Sequence, residues 1–93
     1  MTKLYVNDVG SDIILETGLT LTGAISLKII GRKPDFTEFE WDASIQDTTS
    51  VFHTTLVDDL DQPGIWTVQS SVEMSDGKWL GESVSFEVFR KFN

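Results

Sequence analysis

Leu60-Asp61-Gln62-Pro63-Gly64-Ile65-Trp66-Thr67-Val68, running on through Met74 and, after a turn, from Trp79 to Phe89, is the stretch whose reading decides the fold. Before the turn, Trp66, Val68, Val72 and Met74 are apolar, and they alternate with Thr67, Gln69, Ser71 and Glu73. After it, Leu80, Val84, Phe86 and Val88 alternate with Gly81, Ser83, Ser85 and Glu87. A period of two assigns one set to a core face and the other to solvent. The two strands must put both apolar sets on one face, because a one-residue slip inverts every side chain. A two-residue Asp76-Gly77 turn would set Ser85 against Val68. A three-residue loop, Ser75-Asp76-Gly77 with Gly77 left-handed, pairs Trp66 with Phe86, Val68 with Val84 and Val72 with Leu80. The three-residue loop is therefore the expectation.

The same alternation recurs upstream. Short strands are expected at Lys3 to Val6, around Ile13 and Leu15, from Ile25 to about Gly31, through Phe39 and Trp41, and from Val51 to Leu56. Ala43 to Ile45 extends the fourth. Turn chemistry separates them, with Pro34 fixing the corner of Arg32-Lys33-Pro34-Asp35-Phe36-Thr37. No window carries a helical apolar stripe. About seven short strands at regular spacing predict an all-β chain, a single antiparallel β-sandwich domain over residues 1–93. In immunoglobulin-like domains the penultimate strand is entered through a corner of an acidic residue, then Gly, then an aromatic two residues on. Asp61, Gly64 and Trp66 stand in a similar arrangement, and Val68 takes the place of the second cysteine. Gln62-Pro63 lengthens the spacing and Trp replaces Tyr. A Trp N–H can donate to backbone there but cannot accept.

Composition narrows the partners. The chain has 93 residues, 40% of them hydrophobic, and a net charge of −8. That charge repels nucleic-acid backbone and anionic membranes, so neither is an expected partner. There is no cysteine. The longest apolar runs, such as Ile13-Ile14-Leu15, are far short of a membrane span. Met1-Thr2-Lys3 leads directly into strand-like sequence, and no secretion signal is expected.

Chemistry has few places to hide. His53 is the one histidine, set mid-strand between Phe52 and Thr54, and a structural role is expected for it. No nucleophile, base and acid stand out together, so the chain is not expected to be an enzyme. With one His and no Cys, a zinc site would need three carboxylates. No metal, cofactor or small-molecule substrate is expected. Asp58-Asp59-Leu60-Asp61 has oxygen ligands suited to Ca²⁺ but lacks the spacing and Gly of a calcium loop, so it reads as a solvated turn. Asp61 is a candidate cap for the corner, accepting backbone N–H bonds.

Aromatic side chains off the core face point instead to protein contacts. In the three-residue register Trp79 lies opposite Glu73 on the outer face, which Phe89 shares, and Phe36 tips a turn. Phe39 and Trp41 face the same way, towards the core. Trp79, Phe36 and Phe89 are the candidate contact residues.

Several stretches resemble a family of small proteins encoded by tailed bacteriophages and prophages. They are Leu4-Tyr5-Val6-Asn7-Asp8-Val9-Gly10, Gly23-Ala24, Arg32-Lys33-Pro34-Asp35, Asp59-Leu60-Asp61-Gln62-Pro63-Gly64-Ile65-Trp66 and Asp76-Gly77-Lys78-Trp79-Leu80-Gly81-Glu82. The family comprises tail and baseplate structural proteins with immunoglobulin-like folds, including the N-terminal module of baseplate upper proteins. Where its turn after Pro-Asp usually has Gly, this chain has Phe36. A Phe in that left-handed position carries a steric cost, so either the turn differs or a contact with a neighbouring subunit holds it.

The resemblance implies a non-enzymatic virion structural part, assembled in the host cytoplasm, with no cofactor. It would form homo-oligomers or bind other phage structural proteins. A head decoration protein is an alternative within that class. Outside it, a carbohydrate- or cell-surface-binding sandwich would stack sugar on Trp79, Trp41 or Phe36. Aromatics lining a concavity would favour the sugar reading, and a flat apolar patch would favour assembly.

Overall fold

A computed structural model describes residues 3–92. They form nine strands and no helix: β1 (Leu4–Tyr5), β2 (Asp12–Glu16), β3 (Ser26–Arg32), β4 (Glu38–Asp42), β5 (Ser44–Ile45), β6 (Ser50–Thr54), β7 (Gly64–Met74), β8 (Gly77–Leu80) and β9 (Val84–Phe89). Nine replaces the expected seven or so. The stretch after the last turn divides into β8 and β9, and the Ala43–Ile45 extension is a separate strand.

The strands make two sheets. One has the order β1-β9-β7-β3-β4, with β8 also on β7; the other has the order β2-β6-β5. The wholly antiparallel expectation fails at one edge, where β1 runs parallel to β9, pairing Leu4 with Val88 and Tyr5 with Phe89. The first sheet is therefore mixed. On the other side the chain crosses between sheets within one residue. β4 ends at Asp42, the Ala43 N–H donates to the Leu27 carbonyl (3.1 Å), and Ser44 already pairs with Phe52 of β6. Both sheets contribute to one core: Ile13, Leu15 and Val51 from the smaller, and Ile29, Trp41, Trp66, Val68, Val72 and Val88 from the larger, with Leu21 and Leu60 from loops. This arrangement is compatible with a β-sandwich.

Trp66, fully buried, is the centre of that core. Its ring lies 5.3 Å from Phe39, 6.2 Å from Trp41 and 6.2 Å from Phe86, centroid to centroid. Burying a side chain of this size removes roughly 150–250 Å² from water, about 4–6 kcal/mol at ~25 cal/mol per Å².

The long hairpin keeps two registers. At its base Trp66 pairs with Phe86 and Val68 with Val84, as the alternation predicts. At its tip the expectation is wrong. Met74 pairs with Gly77 across a two-residue turn, and Val72 pairs with Trp79, not Leu80. The tip register continues to Gly81, whose N–H donates to the Ser70 carbonyl at 2.9 Å. Glu82 and Ser83 then stand together opposite Gln69. This is a β-bulge, which shifts the pairing by one residue and returns Val84, Phe86 and Val88 to the core face. Nor is Gly77 left-handed; among the described residues the glycines with positive φ are Gly10, Gly18, Gly23 and Gly64. It is small for another reason. A Cβ there would meet the Trp79 ring at 2.9 Å, because the indole folds back over the glycine.

The slip at the tip exchanges two side chains. Trp79 shares a face with Val72, on the core side, and not with Glu73 on the outer side as expected. Leu80 takes the outer position and is 59% exposed, against 41% for Trp79.

Candidate functional site

The β3–β4 loop and the chain entering β7 form one buttressed corner. The Lys33 N–H donates to the Thr37 carbonyl and the Phe36 N–H to the Lys33 carbonyl, both at 2.9 Å. This closes the three-residue loop Pro34-Asp35-Phe36, in which Phe36 occupies the left-handed position with φ 70°. Asp35 holds the loop from inside. One carboxylate oxygen accepts the Thr37 N–H (3.0 Å) and hydroxyl (2.6 Å), and the other accepts the Gln62 amide at 2.8 Å. The Thr37 hydroxyl foremost, then its N–H and Gln62, hold the Asp35 carboxyl below its ordinary range.

The β7 side answers from below. Trp66 Nε1 donates to the Gln62 carbonyl at 3.0 Å, the backbone bond expected of a Trp in the corner position. Lys33 Nζ bonds Asp61 at 3.0 Å and lies 5.7 Å from the Trp66 ring. Asp61 therefore pairs with a lysine and does not cap the corner with backbone N–H bonds as expected. Gly64, at φ 125°, lets the two segments touch, since a Cβ on it would meet Pro34 at 2.9 Å.

Phe36 stands on this platform with its side chain 76% exposed. The Arg32 guanidinium lies 5.9 Å from its ring. A bulky residue in the left-handed region is a true backbone outlier, and such strain concentrates at contact and switch sites.

The other two candidates lie apart. Ser26 pairs with Glu73 and Arg32 with Thr67 along β3 and β7, so Trp79, beside Val72, is at the opposite end of the sheet from the Phe36 loop. Phe89 is on the outer face as expected, but its own chain half-covers it. Tyr5 lies 6.3 Å away, ring to ring, and Lys3 Nζ is 4.6 Å from its centroid. The three aromatics do not form one patch.

The residues expected to stack sugar are placed differently from one another. Trp41 is buried, stacked on the His53 ring at 4.6 Å. Neither Trp79 nor Phe36 lines the hollow of about 580 Å³ bounded by Arg32, Glu38, Glu40 and Gln69.

His53 has an oxygen at each ring nitrogen. Nδ1 lies 3.0 Å from the Asp42 carbonyl and Nε2 2.7 Å from an Asp59 carboxylate oxygen. Each ring nitrogen faces an oxygen, so neither is turned to a hydroxyl nucleophile. The acidic run disperses: Asp59 binds His53 and the Leu56 N–H, Asp61 binds Lys33, and Asp58 sits at φ 70°. Among the described residues, no group of three or more His, Cys, Asp or Glu is placed so that it could hold a metal ion. The pairing of Lys33 with Asp61 and of Asp35 with Gln62 went unread in the sequence. The chain matches no family model, no curated protein and no solved structure.

Proposed function

We propose that the chain is a non-enzymatic structural module of the phage and prophage tail or baseplate type, an immunoglobulin-like sandwich working through protein contacts. The observation carrying the reading is Phe36, a large apolar side chain held outward on a left-handed residue by a loop braced at Asp35, Gln62, Lys33 and Asp61. That ring is 76% exposed, and a rigid apolar knob is the kind of anchor that fills a partner's pocket. Weak contacts of this sort become firm when symmetry repeats them. The partners are copies of the chain or other virion structural proteins. Two features support the sandwich family: the β1-β9-β7-β3-β4 and β2-β6-β5 sheet orders, and the Trp66 N–H bond to Gln62. Trp79 at the far end is a second contact point.

Light scattering over a concentration series tests the reading. Self-association that Phe36→Glu abolishes without loss of fold is expected. An association indifferent to that change would remove the assignment. Tail or head morphogenesis genes beside the coding sequence would support the virion class.

A further inference from the structure

The seam between the two sheets is open on one side, and its geometry is that of a slot for a strand. β2 is the edge of the smaller sheet and pairs only with β6 among the described residues. The Thr17 N–H donates to the Thr49 carbonyl and the Thr55 N–H to the Ser11 carbonyl. Antiparallel pairing alternates, so the odd-numbered backbone groups of β2 face β6. Those of Asp12, Ile14 and Glu16 point the other way, along a free edge. Across the seam, β9 meets β1 at Val88 and Phe89, and among the described residues no strand pairs with the outer side of Val84, Ser85 and Phe86. Between these edges lies a groove of about 480 Å³, lined chiefly by Leu4, Ile13, Leu15, Val68, Val84 and Phe86. Val84 is 48% exposed although its pairing partner Val68 is buried, and Ile14 is 52% exposed.

We propose that this seam accepts an extended segment of another protein, added as a strand along β2, with apolar and basic residues in alternation. The alternation follows from the pleat. Side chains of an added strand that fall beside Ile13 and Leu15 would enter the groove and cover Val84 and Phe86. Those beside Asp12, Ile14 and Glu16 would lie on the outer face, within cross-strand reach of two carboxylates. Asp8 adds a third carboxylate to the groove wall, and the groove's one lysine, Lys3, is placed over the Phe89 ring. A second copy of the chain fits badly. Antiparallel pairing of two β2 strands about Ile14 sets Asp12 against Glu16, and parallel pairing sets like against like. The carboxylates that repel a copy attract a basic strand. This site stands beside the Phe36 contact and does not depend on it.

The full chain is titrated with three synthetic heptapeptides: alternating Lys and Val, alternating Glu and Val, and the Lys–Val composition with the valines grouped. Amide exchange is followed by NMR. Expected are saturable binding of the first peptide only, with slowed exchange of the Ile14 and Glu16 amides. Ile14→Pro removes an edge N–H without touching the bonds to β6 and should weaken binding about tenfold or more. Asp12→Lys, at an exposed position, should lower affinity for the basic peptide and raise it for the acidic one, whatever becomes of the proline variant. Four results would overturn the proposal: no binding of the first peptide up to millimolar concentration, equal binding of all three, binding without protection at Ile14 and Glu16, or edge amides already protected by self-pairing in the free chain.

Discussion

Replacing Phe36 with glycine separates folding from contact, because the two readings of this residue give opposite results. A left-handed backbone costs a residue with a Cβ about 1–2 kcal/mol. Glycine avoids that cost but loses about 0.5–1 kcal/mol through its greater freedom in the unfolded chain. The Arg32 guanidinium, 5.9 Å from the ring, contributes about 0.5 kcal/mol at so exposed a site. These terms nearly cancel, leaving Phe36→Gly within ~0.5 kcal/mol of the parent in the isolated chain. A Phe belonging to the core would cost about 3–5 kcal/mol when truncated. An anchor in an interface would instead appear in association, where losing a hot-spot aromatic costs ~2 kcal/mol or more, about thirtyfold in affinity. Urea denaturation of dilute protein and sedimentation velocity over a concentration series read the two effects separately. Unchanged stability with weakened association is the expected pair. A stability loss of several kcal/mol would make Phe36 part of the fold, and unchanged stability with unchanged association would refute its role as a contact.

Three further outcomes follow from the geometry. Gly64→Ala combines φ 125° with a 2.9 Å approach to Pro34 and should cost about 1–3 kcal/mol in the urea midpoint while separating the Lys33 loop from β7. Ser70 is buried with a hydroxyl that has no hydrogen-bond partner among the described residues, so Ser70→Ala should be neutral or stabilising by up to about 1 kcal/mol in the same measurement. Asp35, Glu16 and Asp47 all titrate below their ordinary values because hydroxyls and backbone N–H groups bind the carboxylate form. A lowered folded value means that stability is present above the ordinary values, 3.8 for Asp and 4.5 for Glu, and lost as pH falls through the lowered ones. A melting-temperature profile through that acid window should therefore slope less in Asp35→Asn than in the parent.

Much of the architecture was legible because burial on one face of a strand imposes alternation. Trp66 and Phe86 meet as their spacing implies. The Trp66 N–H found a backbone carbonyl for the same reason, since a buried indole donor must be satisfied. The tip of the hairpin was misread because one register was assumed from end to end. Alternation is preserved on both sides of a bulge, so Leu80 and Trp79 exchange faces with no trace in the pattern of either half. The parallel pairing of Leu4 with Val88 is equally silent, because two residues carry no periodicity. The loop contacts at the Phe36 corner depend on long-range closeness, which turn residues suggest but do not specify.

The bulge at Glu82–Ser83 divides the longest hairpin mechanically. Below it, the Trp66 and Val68 pairings are tied into the aromatic core; beyond it, β8 pairs only with β7 among the described residues. Thermal fraying that begins at Ser75-Asp76 can therefore travel down to Gln69 and stop there, opening the β7–β8 pairs from Met74–Gly77 to Ser71–Leu80 while the body stays closed. Trp79 rides on the part that can open, so its fluorescence would report a motion to which Trp41 and Trp66 are blind.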